Sequence, residues 1–266
     1  MRVTKLTTTP VKGTALHFPD VLHLGLGGDE TNRRYYLIDA KGLMVNGKRH
    51  GSLVRVRAEY TADPDTLSLR FSDGTEAAGS VPTGGKEVET SFYGRPVRGR
   101  LLDGPWAEPL SEHLGRPVRL VACERPGEAV DVHPVTIVSA ASIEALGTGG
   151  GVDGLDPRRF RMLIEVEGCA AYAEDTWAGS TVAVGEAVVR VEGPVPRCVV
   201  TTQNPDTGIT NLPTLRMLLD QRGARVGDAL DTPVDHLPDG GKLCMGVYGT
   251  VARPGRVRVG DELRLA

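Results

Sequence analysis

Cysteine is scarce in this chain: Cys123, Cys169, Cys198 and Cys244 are the whole supply, and no CxxC spacing occurs among them. That excludes a CxxC zinc or dithiol site and an iron–sulfur ligand set of the chain's own. With 266 residues the chain buries a core without covalent staples, so no disulfide framework is expected. The histidines (His17, His23, His50, His113, His133, His236) show neither HxH nor HExxH spacing, and there is no GxSxG elbow. Zinc-hydrolase and serine-hydrolase chemistry are thereby disfavoured. No apolar run approaches the ~18 residues of a bilayer-spanning helix, and the N-terminus lacks the apolar core of a signal peptide. The expected compartment is the cytoplasm, with no membrane partner. Charge excess is missing too: a net charge of -3 and a pI near 6.1 offer no general attraction for nucleic acid.

Aromatic residues are few, with four Phe and two Trp, whereas Gly (34) and Pro (18) are plentiful, so many turns join short elements. That points to a mostly β (α+β) fold. "SLVRVRAEY" (52–60) alternates Val54, Val56, Ala58 and Tyr60 against charged residues, and "TLSLRF" (66–71) repeats the pattern. "STVAVGEAVVRVEG" (180–193) predicts a hairpin about Gly185-Glu186, and "GRVRVGDELRLA" (255–266) another about Gly260-Asp261. Three short helices are predicted: one with Ala107, Leu110 and Leu114 before Gly115, "SAASIEALG" (139–147) capped by Ser139, and "NLPTLRMLLDQRG" (211–223). "GSVPTGGKEVE" (79–89) reads as a loop, and the glycine run of 147–159 as a linker or lid between two halves of unlike texture.

Cys198 stands apart from the other cysteines. Arg197 precedes it, and Pro194 and Pro196 stiffen its approach. A neighbouring guanidinium favours the thiolate, which is both nucleophile and metal ligand. An inert buried thiol is the competing reading.

The surrounding residues carry a resemblance. Arg158-Arg159-Phe160-Arg161, Gly168, Glu174-Asp175 with Trp177, Val184-Gly185, and Arg197-Cys198 through Thr201-Thr202 to Asp206-Thr207-Gly208 follow one another in an order and spacing that resemble the MOSC domain family. "TPVKG", "RRYYLID", "SFYGRPVRGR" and "EPLSEHLGRPVRLV" are similar to the N-terminal β-barrel domain of its amidoxime-reducing branch. The resemblance implies an N-terminal barrel-like domain (1–122) and a MOSC β-barrel domain (123–266), with short peripheral helices. It also implies a molybdenum cofactor (Mo-molybdopterin), with Cys198 the protein's ligand to the metal, and no pyridoxal phosphate. A soft thiolate suits such a centre. The cofactor's phosphate calls for guanidinium forks and a lysine. Lys12, Arg34, Arg159 and Arg161 match those positions, with Arg197 beside the ligand, Ser139 at a helix start and Tyr248 facing the cofactor. Asp175 has two readings, a proton-side catalytic residue or the cap of a short turn.

The implied activity is reduction of N-hydroxylated small molecules, R–NH–OH + 2 e⁻ + 2 H⁺ → R–NH₂ + H₂O, with electrons from a separate reductase or ferredoxin-type protein. Five departures thin the polar shell expected around the cofactor. Gly13 stands where serine is usual, Met162-Leu163 replaces Pro-Asn, Asn46-Gly47-Lys48 replaces Thr-x-Arg, Arg33 replaces aspartate, and Pro196 replaces a small polar residue. They keep two alternatives open: a metal-free enzyme using Cys198 as nucleophile or sulfur carrier, and a non-catalytic cofactor carrier. Oligomeric state is not legible.

Overall fold

The computed structural model describes residues 1–223 and 243–266; His236 lies outside them. Among the described residues the chain is built mainly of short strands, as its turn-rich composition predicts. One sheet runs in the order Arg2–Leu6, Ile164–Glu167, Val135–Ser139, Cys244–Arg253, Ala187–Pro196, Thr181–Val184, Leu263–Leu265. All its pairings are antiparallel except that of Val135–Ser139 with Ile164–Glu167. Its two edges meet through an Arg2–Glu262 bridge and the bond from the Leu263 amide to the Met1 carbonyl, so the sheet nearly closes into a barrel. Val3, Ile137, Ile164, Val189 and Trp177 fill its interior. Closure leaves little unpaired edge, which is the usual gain of a barrel.

A second sheet, Met44–Val45, Tyr35–Asp39, Val118–Cys123, Arg95–Leu101, Glu87–Phe92, forms the other half with the three-stranded Arg57–Ala62, Asp65–Arg70, Glu76–Ser80. The strand Tyr35–Asp39 is buried on both faces. Tyr35 and Leu37 pack with Leu53, Leu67 and Trp106 on one side, and Tyr36 and Ile38 with Phe92 and Val97 on the other. The strand Val21–Gly25 pairs with Gly255–Arg258 near the C-terminus. The first strands therefore join sheet partners from the far end of the chain, across the 122/123 division.

Helix α1 (Ala107–Leu114) ends on Gly115 in the left-handed conformation, as its sequence predicts. Helix α2 (Ala140–Gly149) begins after Ser139, and α3 (Thr214–Arg222) starts three residues later than Asn211. Four local expectations need correction. Residues 51–55 form a 3-10 turn, and extended pairing begins only at Arg57. The segments around Gly260-Asp261 turn but do not pair with each other: Gly255–Arg258 joins Val21–Gly25, and Leu263–Leu265 joins Thr181–Val184. Arg158-Arg159-Phe160-Arg161, which the resemblance implies is a basic strand, is the 3-10 turn Pro157–Phe160 capped by Asp156, with Arg161 left-handed at φ 52°. The glycine run is no lid. Gly149 and Gly150 lie against Gln221 and Met217 of α3, and Gly147 sits under the Val152 carbonyl, so the missing side chains let two helices and a return loop approach closely.

Candidate active site: a basic cleft around Cys198

The strand Ala187–Pro196 leads directly to Cys198, which opens the 3-10 turn Val199–Thr202; its carbonyl accepts from the Thr201 amide and hydroxyl at 3.1 and 3.0 Å. A strand running into a tight turn brings the thiol to a sheet end instead of into the sheet's core. There Cys198 lines a cleft, open to solvent, whose walls come from both halves of the chain.

Among the described residues, six basic side chains line the cleft (Lys12, Arg33, Lys48, Arg159, Arg161, Arg197) against one carboxylate, Asp131. Residues 9–12 run beside 33–35: the Arg33 amide bonds the Thr9 carbonyl at 2.6 Å, and the Lys12 amide bonds the Tyr35 carbonyl at 2.8 Å. This is what brings Lys12 and Arg33 together. Gly13 follows Lys12 at φ +94°, a conformation that disfavours the serine of the resemblance. The Lys12 ammonium donates to Asp131 (2.6 Å) and to the Ala129 carbonyl (2.8 Å) and lies 4.5 Å from the Phe92 ring centroid. Burial, with Arg33 and Arg161 nearby, lowers its pKa to about 8 despite Asp131. Burial also works against ionisation of Asp131, but Lys12 and Arg33 outweigh it and hold the carboxyl well below the usual range.

The 3-10 turn at 157–160 sorts its arginines. Arg158 faces away to Asp156 and Asp206, at 2.7 and 2.6 Å. Arg159 turns inward and donates to the Gln203 carbonyl at 2.7 Å, and Arg161 donates to the Thr14 carbonyl at 2.8 Å. Arg197 is buried against the Phe160 ring, donates to the Phe160 carbonyl, and reaches the Met162 sulfur at 3.3 Å. Buried Nε groups of Arg159 and Arg197 have no hydrogen-bond partner among the described residues. Buried donors without acceptors are costly unless something supplies the acceptor. Tyr248 borders the same space, its phenol pushed upward by burial and then by Asp131, and the His133 ring stands edge-on to it at 5.7 Å.

The cleft thus gathers Lys12, Arg159, Arg161, Arg197, Cys198 and Tyr248 from the sequence candidates. Arg34, Ser139 and Asp175 are not among its lining residues. The Arg34 guanidinium lies over Tyr60 at 5.1 Å, and it is Arg33, in a left-handed turn at φ 53°, that lines the cleft. Ser139 is fully buried, its hydroxyl caps nothing, and its amide donates to Glu174 at 3.2 Å. Glu174 also accepts from the Ser142 hydroxyl at 2.9 Å. Asp175 pairs with Arg222 of α3, whose guanidinium lies 4.1 Å from the Tyr172 ring centroid. Sequence reasoning passed over Asp131 and His133, which carry no motif. Arg33 and Lys48 appeared only as departures from a pattern, yet both line the cleft.

A family model of the MOSC domain matches residues 124–264. The chain belongs to the MOSC domain family. It is 34% identical over 287 residues to the rat mitochondrial amidoxime reducing component 2, covering 98% of this chain and 82% of that protein. It is 25% identical over 287 residues to the human mitochondrial amidoxime-reducing component 1, covering 99% and 82%. Among solved structures, the YuaD protein of Bacillus subtilis aligns over 98% of this chain and 93% of its own, at 14% identity and a TM-score of 0.46.

Proposed function

We propose that the chain is a molybdenum-cofactor oxidoreductase that reduces N-hydroxylated small molecules with electrons from a separate donor protein. The observation that carries this reading is Cys198 at the edge of a cleft where, among the described residues, six cations face one carboxylate and two buried guanidinium donors lack acceptors. That donor set fits a phosphate-bearing group with a soft metal: a thiolate for the metal, guanidinium forks for the phosphate. The names of the relatives, amidoxime-reducing components, support the same substrate class.

When bound, the cofactor supplies two-electron chemistry and an affinity for the substrate's oxygen. Cys198 would hold its metal. Arg33, Arg159 and Arg161 would hold its anionic end, and Lys12, already neutralised by Asp131, would set the spacing between them. Phe92 and Met162 supply apolar wall that limits water. The four cysteines are dispersed along the chain and offer no iron–sulfur ligand set, so electrons would enter from a partner of ferredoxin or reductase type.

Metal analysis of purified protein, wild type beside Cys198→Ala, tests the reading. Near-stoichiometric molybdenum in the wild type and loss of most of it in the variant are expected, with amidoxime reduction following the metal. Molybdenum unaffected by the substitution would refute the assignment of Cys198. Full activity in protein grown without molybdate would replace it with the metal-free thiol enzyme.

A further inference from the structure

Cleavage of an N–O bond consumes protons as well as electrons: N–OH + 2 e⁻ + 2 H⁺ → N–H + H₂O, one hydrogen ending on nitrogen and one on the departing oxygen. Asp175 is ion-paired with Arg222 and does not line the cleft. Within the cleft, Asp131 stays ionised beside Lys12 and Arg33, and Lys12 is held by Asp131 and the Ala129 carbonyl. Guanidinium groups do not release protons. The Tyr248 phenol is pushed away from ionisation, and Cys198 is taken by the metal under the function proposed above.

His133 remains. Its half-buried ring lines the cleft, and neither ring nitrogen has a hydrogen-bond partner among the described residues. Its position is set by a sheet and not by a loose loop. Pro134 and the strand Val135–Ser139 follow, and Thr136 is paired with Tyr248, which puts the two rings edge to face at 5.7 Å and 69°.

We propose that His133 is the proton donor of this cleft, handing a ring N–H proton to the oxygen that leaves when the N–O bond of an N-hydroxylated substrate breaks, and regaining it from solvent. The second proton reaches nitrogen from water, and both electrons come from the separate donor protein, for which reduced methyl viologen substitutes in vitro. This rests on the N–O reductase reading. The charges around the ring agree with the role. Burial lowers the imidazole below its ordinary 6.5, and Glu192 of the strand Ala187–Pro196 opposes that shift. Glu192 itself accepts from the Thr250 hydroxyl at 2.6 Å, with Arg190 at 3.9 Å. The strand Cys244–Arg253 presents the phenol of Tyr248, and the loop before His133 presents Asp131, neutralised by Lys12. An acid so placed empties as pH rises through its pKa, so turnover falls from acid toward alkaline pH.

The test uses holoenzyme, benzamidoxime and reduced methyl viologen, with His133→Ala and His133→Gln. A loss of about 100-fold in kcat with little change in KM is expected of a removed general acid. The fall in turnover toward alkaline pH should vanish in both variants. Added imidazole should restore part of the rate in His133→Ala, whose cavity admits it, and none in His133→Gln. Thermal midpoint and molybdenum content report folding and loading separately. Wild-type kcat and pH profile in either loaded variant overturn the proposal, as does a rate loss that imidazole leaves untouched and that follows lost metal. NMR titration of the ring in metal-free protein gives a readout independent of turnover: a ring that titrates over the pH range in which turnover falls, with a midpoint lowered by Glu192→Gln, is expected, and a ring that does not titrate over that range contradicts it. Wild-type holoenzyme that reduces no N-hydroxylated probe overturns the function and this role together, whereas active wild type with indifferent variants overturns this role alone.

Discussion

Replacing Asp175 with asparagine separates a carboxylate that serves the fold from one that serves the chemistry. The side chains of Asp175 and Arg222 are each only 8% exposed, and the guanidinium is also stacked on Tyr172. Asparagine keeps the volume and removes the charge, so Arg222 is left desolvated without its counter-ion. Breaking one side of such a buried pair costs about 3–5 kcal/mol. In a chain of this size each kcal/mol lowers the midpoint by roughly 2–4 °C, so Asp175→Asn should melt roughly 6–20 °C below wild type. Thermal unfolding by circular dichroism gives the midpoint, and amidoxime reduction well below that midpoint gives the activity of the folded fraction. The expected outcome is a large drop in midpoint with activity per folded molecule retained. Adding Arg222→Gln should recover part of the loss, because the orphaned cation goes with it, and the double-mutant cycle measures the coupling. An unchanged midpoint with lost activity would refute the reasoning and return Asp175 to the catalytic chemistry.

Three further outcomes are expected. The folded protein gives up the Lys12 proton at about 8, while the unfolded chain keeps it to about 10.5. Between those values the unfolded state holds more protons, so Lys12 makes stability rise with pH, and Lys12→Met should remove that slope from unfolding midpoints taken between pH 7 and 10. Binding of inorganic phosphate to the cleft should weaken across the same window, because discharge of the ammonium leaves the Asp131 carboxylate without its counter-ion beside the anion, which calorimetry can follow; affinity constant up to pH 10 would contradict the pairing of Lys12 with Asp131. Gly147→Ala puts a Cβ 2.6 Å from the Val152 carbonyl oxygen and 2.9 Å from the Leu155 Cβ. Alanine gains up to about 1 kcal/mol of helix propensity, and the forced shift costs about 1–3 kcal/mol. Net destabilisation in chemical denaturation is expected; a stabilised variant would show that the loop yields freely.

Much of this protein was legible in the chain as written. Gly115 ends α1 and Gly185-Glu186 turns a hairpin because a backbone reversal is decided by a few adjacent residues. The thiol at 198 and its basic company were legible for a different reason, since a soft ligand and phosphate-binding side chains are chemistry carried by residue type. Which way those side chains point was not. Arg33 and Arg34 are neighbours of the same type, and a left-handed turn at Arg33 puts one in the cleft and the other over Tyr60. Asp175 stands in the most recognisable motif of the chain and meets Arg222, 47 positions on. His133 belongs to no motif, and the pairing of Thr136 with Tyr248 is what brings its ring to the cleft. Local sequence governs turns and chemical character over a few residues. The direction of a side chain and the company it keeps depend on strand register and helix packing between segments far apart in the chain, and those exist only once the fold has formed.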